Sequence, residues 1–190
     1  MPSDELILGI DPGSRFTGYA ILRKSGNSYT ALRCDTLKLD KESDHPKRLA
    51  KIYSFFKSLI EGFEPNSVAL ETPVYGKDPT AMLKLGRAQA ACMLAAINCN
   101  VDVFEYYPKM IKKSITGSGN ASKQQVAFMI EKMVKLEEAA TNFDATDALA
   151  VAWCHAMKAG SERHSASGST RAKSGSWKTF VAENQHRIKQ

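Results

Sequence analysis

The chain of 190 residues has no apolar run of 18 residues free of charge, so it offers no segment fit to span a membrane. It has no basic stretch ahead of its first apolar run, where Asp4 and Glu5 stand instead, and no secretory leader is expected. Its four cysteines, Cys34, Cys92, Cys99 and Cys154, form no CxxC pair. His45, His155, His164 and His186 keep no ligand spacing with them, which removes a zinc site. Cys34, Cys92 and Cys154 lie in apolar segments and read as small buried thiols of a reducing, cytoplasmic compartment. Acids are in short supply: 20 Asp and Glu stand against 26 Lys and Arg, a net charge of +6. That balance favours a polyanionic partner without naming one.

The excess charge is unevenly placed. Residues 158–190 carry seven basic and two acidic side chains, while the rest of the chain is nearly balanced. From Ala159 the composition turns to Gly, Ser, Ala and basic residues, so the expected organisation is one domain over 1–158 and a flexible basic tail over 159–190. Arg171, Lys173, Trp177, Lys178 and Phe180 interleave aromatic and charged groups there, as suits a DNA-holding arm or a plain solubilising extension.

Against this background four acids stand out. Asp11 ends the run Leu6–Ile10, Glu71 ends Val68-Ala69-Leu70, and Asp144 and Asp147 open a segment that continues as Ala148 to Trp153. No Lys or Arg lies within three positions of any of them. An anion at the edge of buried apolar structure is costly unless a positive charge meets it. A hard divalent cation, Mg²⁺ or Mn²⁺, would supply that charge. Simpler readings exist: Asp144 and Asp147 also suit an N-cap and first turn of a helix, and Asp11 before Pro12-Gly13 suits a turn.

Periodicity gives strands at 5–11, 16–24, 28–38, 67–71 and 101–107, and helices at about 49–60, 79–98, 109–116, 122–136 and 143–158. The order β-β-β-α-β-α-β-α-α-α makes an α/β fold. Two hairpins and a crossover set the first and fourth strands in the same direction. If those strands are neighbours, Asp11 and Glu71 leave the same carboxyl edge, where open sheets bind ligands. Asp144 and Asp147 are i, i+3 on one helix face and could be aimed at them. Helix 79–98 is apolar nearly all round, which fits a core helix or one half buried and half in a dimer contact.

The stretches ILGIDPGSRFTGYAIL at 7–22, ALETPVYGKDPTAMLKLGRAQA at 69–90, VFEYYPKMIKKSITGSGNASKQQV at 103–126 and FDATDALAVAWCHA at 143–156 together resemble the RuvC-type Holliday junction resolvases. The resemblance implies a ribonuclease-H-like, mixed five-stranded sheet, strands 1–3 antiparallel and the rest parallel, flanked by helices on both faces. It makes Asp11, Glu71, Asp144 and Asp147 ligands of two Mg²⁺ ions, with Mn²⁺ a possible substitute, about 3.5–4 Å apart as in two-metal sites. It implies a metal-activated water attacking in line at phosphorus, to leave a 5′-phosphate and a 3′-hydroxyl. It places Lys112 and Lys123 on DNA phosphate and leaves the adjacent Lys113 open. Ser14 and Arg15, just after Asp11, fit phosphate contacts at the rim equally with ordinary loop residues. The family carries an aromatic wedge three places after the second acid. Val74 stands at that place here, and Tyr75, beside Lys77, follows it. The implied substrate is a four-way DNA junction, the implied assembly a homodimer, and the implied partners the branch-migration proteins RuvA and RuvB.

Three rivals share parts of this pattern. A phosphotransferase of the actin and sugar-kinase class also uses a strand, an Asp and a Gly-rich turn, but clasps ATP between two domains. A non-catalytic junction binder would use metal for structure only. An RNA–DNA hybrid ribonuclease shares the fold and the acids, though not the stretch at 103–126.

Overall fold

The computed structural model describes residues 4–42, 44–74, 76, 78–137 and 142–165, with side chains described up to Lys158. In chain order the elements are β1 (Glu5–Asp11), β2 (Phe16–Ser25), β3 (Ser28–Lys38), α1 (His45–Phe63), β4 (Ser67–Glu71), α2 (Pro79–Asn98), β5 (Asp102–Tyr106), α3 (Pro108–Thr116), α4 (Lys123–Met133), β6 (Lys135–Leu136) and α5 (Phe143–Ser165). Among the described residues these strands make one sheet in the order β5-β4-β1-β2-β3-β6. β1, β2 and β3 are antiparallel, whereas β4 runs parallel to β1, and β5 parallel to β4. The mixed sheet with helices on both faces is the expected α/β architecture. No described helix is long and apolar enough to cross a membrane.

β1 is central, and its alternation divides the core. Ile7 faces α5 and Trp153, while Leu8 and Ile10 face α1 and α2. Both faces are covered, so the strand reads as a continuous apolar run rather than an alternating one. The β2–β3 hairpin closes through Gly26, whose φ of 59° is the left-handed turn geometry that a side chain resists. α1 starts at Asp44, whose carboxylate accepts from the Lys47 amide, and α2 starts at Asp78, which accepts from Thr80. Cys34, Cys92 and Cys154 are buried free thiols, and burial pushes Cys34 up to about 12.

Two element boundaries differ from the sequence expectation. The helix expected over 122–136 stops at Met133. Val126, Ile130 and Val134 keep an i, i+4, i+8 spacing, yet Val134 is extended, with φ −115° and ψ 131°. Its β-branched side chain is buried, and the chain then pairs Lys135 and Leu136 beside Thr30 and Ala31 as a sixth, two-residue strand. The helix expected over 143–158 continues to Ser165. The tail features from 166 onward lie outside the described residues.

Candidate active site

Asp11 and Glu71 end adjacent parallel strands. The paired register of β1 and β4 closes at Ile10 and Leu70, one position before the two acids. Both therefore leave the carboxyl edge together. The other two acids arrive on the first turns of α5. Asn142 caps that helix: its Oδ1 accepts from the Ala145 amide at 3.0 Å and from Thr36 Oγ1, on β3, at 2.8 Å. Asn142 thus takes the capping role that Asp144 could have had, and frees Asp144 for another use.

Two glycines allow α5 to come close enough. A Cβ on Gly9 would overlap the Ala148 carbonyl oxygen, and one on Gly18 would overlap that of Asp144. The helix backbone lies directly on β1 and β2 at those points. As a result Asp11, Asp144 and Asp147 each present a carboxylate oxygen within 4.8 Å of the others. Glu71 stands across a cleft of about 150 Å³ whose walls also include Asp11, Asp147, Lys112 and Lys123. Ile111, Val126 and Ala150 line its apolar side.

The electrostatics are those of crowded, buried acids. Burial, then the charges of Glu71 and Asp147, push the Asp11 carboxyl up to about 8. Burial and the charge of Asp147 push Glu71 up to about 7. Lys123 Nζ lies 2.6 Å from Asp147 Oδ2, a bond that raises the lysine above its ordinary value. One ion pair does not offset four carboxylates, so the site favours a proton or a cation. The donors are all carboxylate oxygen, three of them close enough to share a hard divalent ion. The residues therefore fit the implied metal.

The lysines are held by local structure. Lys112 projects from α3, which is anchored by buried Ile111 and Ile115, while Lys113 is exposed and lies off the cleft. Lys123 opens α4, where Ser122 and Gln125 form a reciprocal capping box. The loop between these helices turns at Gly117, with φ 76°, and Thr116 Oγ1 braces it against the Lys112 and Ser118 carbonyls.

The remaining candidates stand apart. Arg15 is exposed, and its carbonyl accepts from the Leu39 amide at 2.8 Å. The Ser14 carbonyl accepts from Arg48 Nη1 at 3.4 Å. Neither residue is among those lining the cleft, so both are at most on its rim. Val74 is 55% exposed. Tyr75 and Lys77 lie outside the described residues. Asn142, Thr36, Gly9 and Gly18 were not singled out from the sequence, because each matters only through a partner distant along the chain.

The family model described as crossover junction endodeoxyribonuclease RuvC matches residues 7–155. The chain belongs to the RuvC family. A RuvC from Salinibacter ruber is 45% identical over 183 residues, covering 96% of this chain and 98% of the relative. One from Cytophaga hutchinsonii is 42% identical, covering 98% and 89%. A solved structure of Thermus thermophilus RuvC in complex with Holliday junction substrate superposes with a TM-score of 0.77 at 28% identity, covering 83% of this chain and 96% of that one. Membership of this family replaces the phosphotransferase reading. Within the RuvC family the acidic cleft is the natural candidate for the nuclease centre.

Proposed function

We propose that this chain is a structure-selective endodeoxyribonuclease that resolves four-way DNA junctions by paired symmetric nicks, in homologous recombination and repair. The observation that carries the reading is the meeting of Asp11 with Asp144 and Asp147, more than a hundred positions further on, beside Glu71 and two lysines. In this reading the four carboxylates hold two Mg²⁺ ions, with Mn²⁺ able to replace them. Bound there, the ions supply an activated water and charge stabilisation at the leaving oxygen.

The protein groups do the rest. Asp11, Glu71, Asp144 and Asp147 form the acidic floor. Lys112 and Lys123 reach over it toward the scissile strand, where they offset phosphate charge as it grows. Lys123 is mostly exposed even while it touches Asp147, so it can turn to a phosphate without unpacking anything. Ile111, Val126 and Ala150 keep water from one side. Val74 and Tyr75, three and four positions after Glu71 in the sequence, are the proposed contact with unpaired bases. Ser14 and Arg15 are proposed for the phosphates farther out.

The same reading implies a homodimer, since a C2 pair places two equal sites on two opposed strands. α2 supports it. Ala88, Cys92, Ala95 and Ala96 pack inward, while Leu83, Leu94 and Ile97 remain exposed, each more than half accessible. A cytoplasmic location and work alongside RuvA and RuvB belong to the proposal.

One experiment tests the whole. The purified protein is incubated with a mobile four-way junction, a linear duplex and an RNA–DNA hybrid, with and without Mg²⁺. Symmetric nicking of the junction alone, only with metal, is expected. Hybrid cleavage, or junction binding with no cut at any metal concentration, would overturn the reading.

A further inference from the structure

Beneath the cleft lies a polar group that the proposed chemistry does not use. His155 is 4% exposed, in the apolar part of α5. Its two ring nitrogens both meet hydroxyls on the sheet. Nδ1 lies 2.7 Å from Tyr106 Oη and Nε2 lies 3.0 Å from Ser67 Oγ. A neutral imidazole donates from one nitrogen and accepts at the other, and a hydroxyl can serve either. The trio is therefore a satisfied buried network, and it is shielded: Tyr106 and Ser67 are 3% and 5% exposed. The Phe104 ring lies against the imidazole at 4.5 Å, and Lys158 Nζ sits 5.6 Å from the Tyr106 ring centre.

The placement of the trio links it to the acids. Tyr106 is the register partner of Glu71 across β4 and β5, and its carbonyl accepts from the Thr72 amide at 2.9 Å. His155 is eight residues beyond Asp147, on the same side of α5. Tyr106 therefore fixes the strand end that bears Glu71, and His155 fixes the helix that bears Asp144 and Asp147. Where α5 crosses β1 it meets Gly9 through Ala148 and Ala152. Such contacts between small groups set how close the helix lies but not how far it slides or rolls. The hydroxyl–imidazole bonds are directional and supply that register against β4 and β5.

We propose that the Ser67–His155–Tyr106 network is a positioning device that sets the distance between Glu71 and the α5 carboxylates, and so tunes the affinity of the site for its divalent cation. The inference rests on the metal-dependent nuclease reading above. Groups that orient the ligands of a metal typically change its affinity 10–100-fold when removed.

The test uses the full chain. Tyr106→Phe keeps the ring and its packing and removes only the hydroxyl. His155→Asn can retain the contact at the Nδ1 position, and His155→Gln the one at Nε2. Mn²⁺ binding is measured by calorimetry without DNA, junction affinity in EDTA, and junction cleavage across a Mg²⁺ series. Tyr106→Phe is expected to weaken Mn²⁺ binding and raise half-saturating Mg²⁺ about tenfold. Its rate at saturating metal and its junction affinity in EDTA should stay near wild type. His155→Asn should lie nearer wild type than His155→Gln, since it keeps the partner level with Glu71. Folded variants with wild-type Mn²⁺ isotherms, or with a rate loss equal at every Mg²⁺ concentration, would overturn the proposal. A wild-type chain that does not cut the junction would sink the nuclease reading instead, and the Mn²⁺ isotherms would still decide this one.

Discussion

The two faces of the sheet differ in how closely the helices approach it. Toward α1 and α2 the core is made of large side chains: Leu8, Ile10, Ile21, Leu39, Ile52, Phe56 and Leu70 are all fully buried. Tyr19, Phe55 and Phe56 meet there edge to face, with ring centres 5.1 to 6.2 Å apart. Toward α5 large side chains such as Ile7, Leu22, Leu149 and Trp153 are buried as well, but the closest approach of helix to sheet is made by Gly9, Gly18, Ala145, Ala148 and Ala152, with the polar His155 and Ser67 nearby. Large side chains remove much apolar area from water and stabilise the domain. Small ones gain less area but let backbones touch, and that contact brings the carboxylates together. The α1 and α2 face therefore carries more of the large-side-chain burial, and the close contacts of the α5 face hold the site in shape. Substitutions on each face should separate stability from activity.

The largest effect is expected at the site itself. Asp11→Asn removes one of the proposed carboxylate ligands and should lower junction cleavage at least about a thousandfold, since a bound metal would supply several kcal/mol of charge stabilisation. Junction binding, measured by gel shift in EDTA, should survive. Near-normal cleavage would exclude Asp11 from the chemistry. The same variant should raise the melting temperature without metal, because it deletes a carboxyl forced toward neutrality by burial and like charge.

Phe56→Ala tests the other face. Emptying a fully buried aromatic position typically costs about 3–5 kcal/mol. Denaturant melts should show that loss, while the folded fraction cleaves at nearly the wild-type rate. Gly18→Ala is the mirror image. Its methyl meets the Asp144 carbonyl, so the first turn of α5 must shift. Displacement by about 1 Å can cost a hundredfold in rate, while overpacking costs only about 1–3 kcal/mol in stability. A Gly18→Ala protein that melts far below Phe56→Ala yet cuts normally would break the division between the faces.

Protons should compete with metal on the α5 side. Burial and neighbouring like charge push Asp11 up to about 8 and Glu71 up to about 7, from ordinary values of 3.8 and 4.5. The unfolded chain loses these protons first as pH rises, so the folded state binds more protons between about pH 4 and 8. Metal-free stability contributed by these groups must then fall as pH rises through that window. Melts in EDTA at pH 5, 6, 7 and 8 should show the decline, and Asp11→Asn should flatten part of it. Half-saturating Mg²⁺ for cleavage should fall as pH rises from 6 to 8, because each ligand must shed its proton to bind. A Mg²⁺ requirement independent of pH would contradict the raised values.

The sequence exposed the two strand-end acids and the i, i+3 pair because each follows or opens an apolar run that periodicity resolves. It also fixed the parallel direction of β1 and β4, through hairpin count and crossover. What it hid depends on distant partners. Gly9 and Gly18 looked like ordinary strand residues, because the helix that needs their missing side chains lies more than a hundred residues on. His155 looked like part of an apolar helix, because its partners are 49 and 88 residues away. β6 escaped notice because two residues carry no period, and because the spacing of Val126, Ile130 and Val134 stays helical while the backbone at Val134 does not.

The smallest expected effect concerns the helix cap that joins the two lessons. Asn142 Oδ1 receives the Ala145 amide and the Thr36 hydroxyl together, so it ends α5 and ties that end to β3. Replacing such a cap with alanine costs about 1 kcal/mol, or about 2–4 °C in a domain of this size. Because Asp144 lies two residues further on, the loss should not be confined to stability. Asn142→Ala should raise half-saturating Mg²⁺ severalfold, and Asn142→Ser, which keeps a capping oxygen, should restore the melting temperature more fully than the metal response. A serine can accept from the Ala145 amide, but its shorter side chain holds the oxygen away from Thr36. If both properties recover together, the cap acts on the helix alone and the tie to β3 contributes nothing to the site.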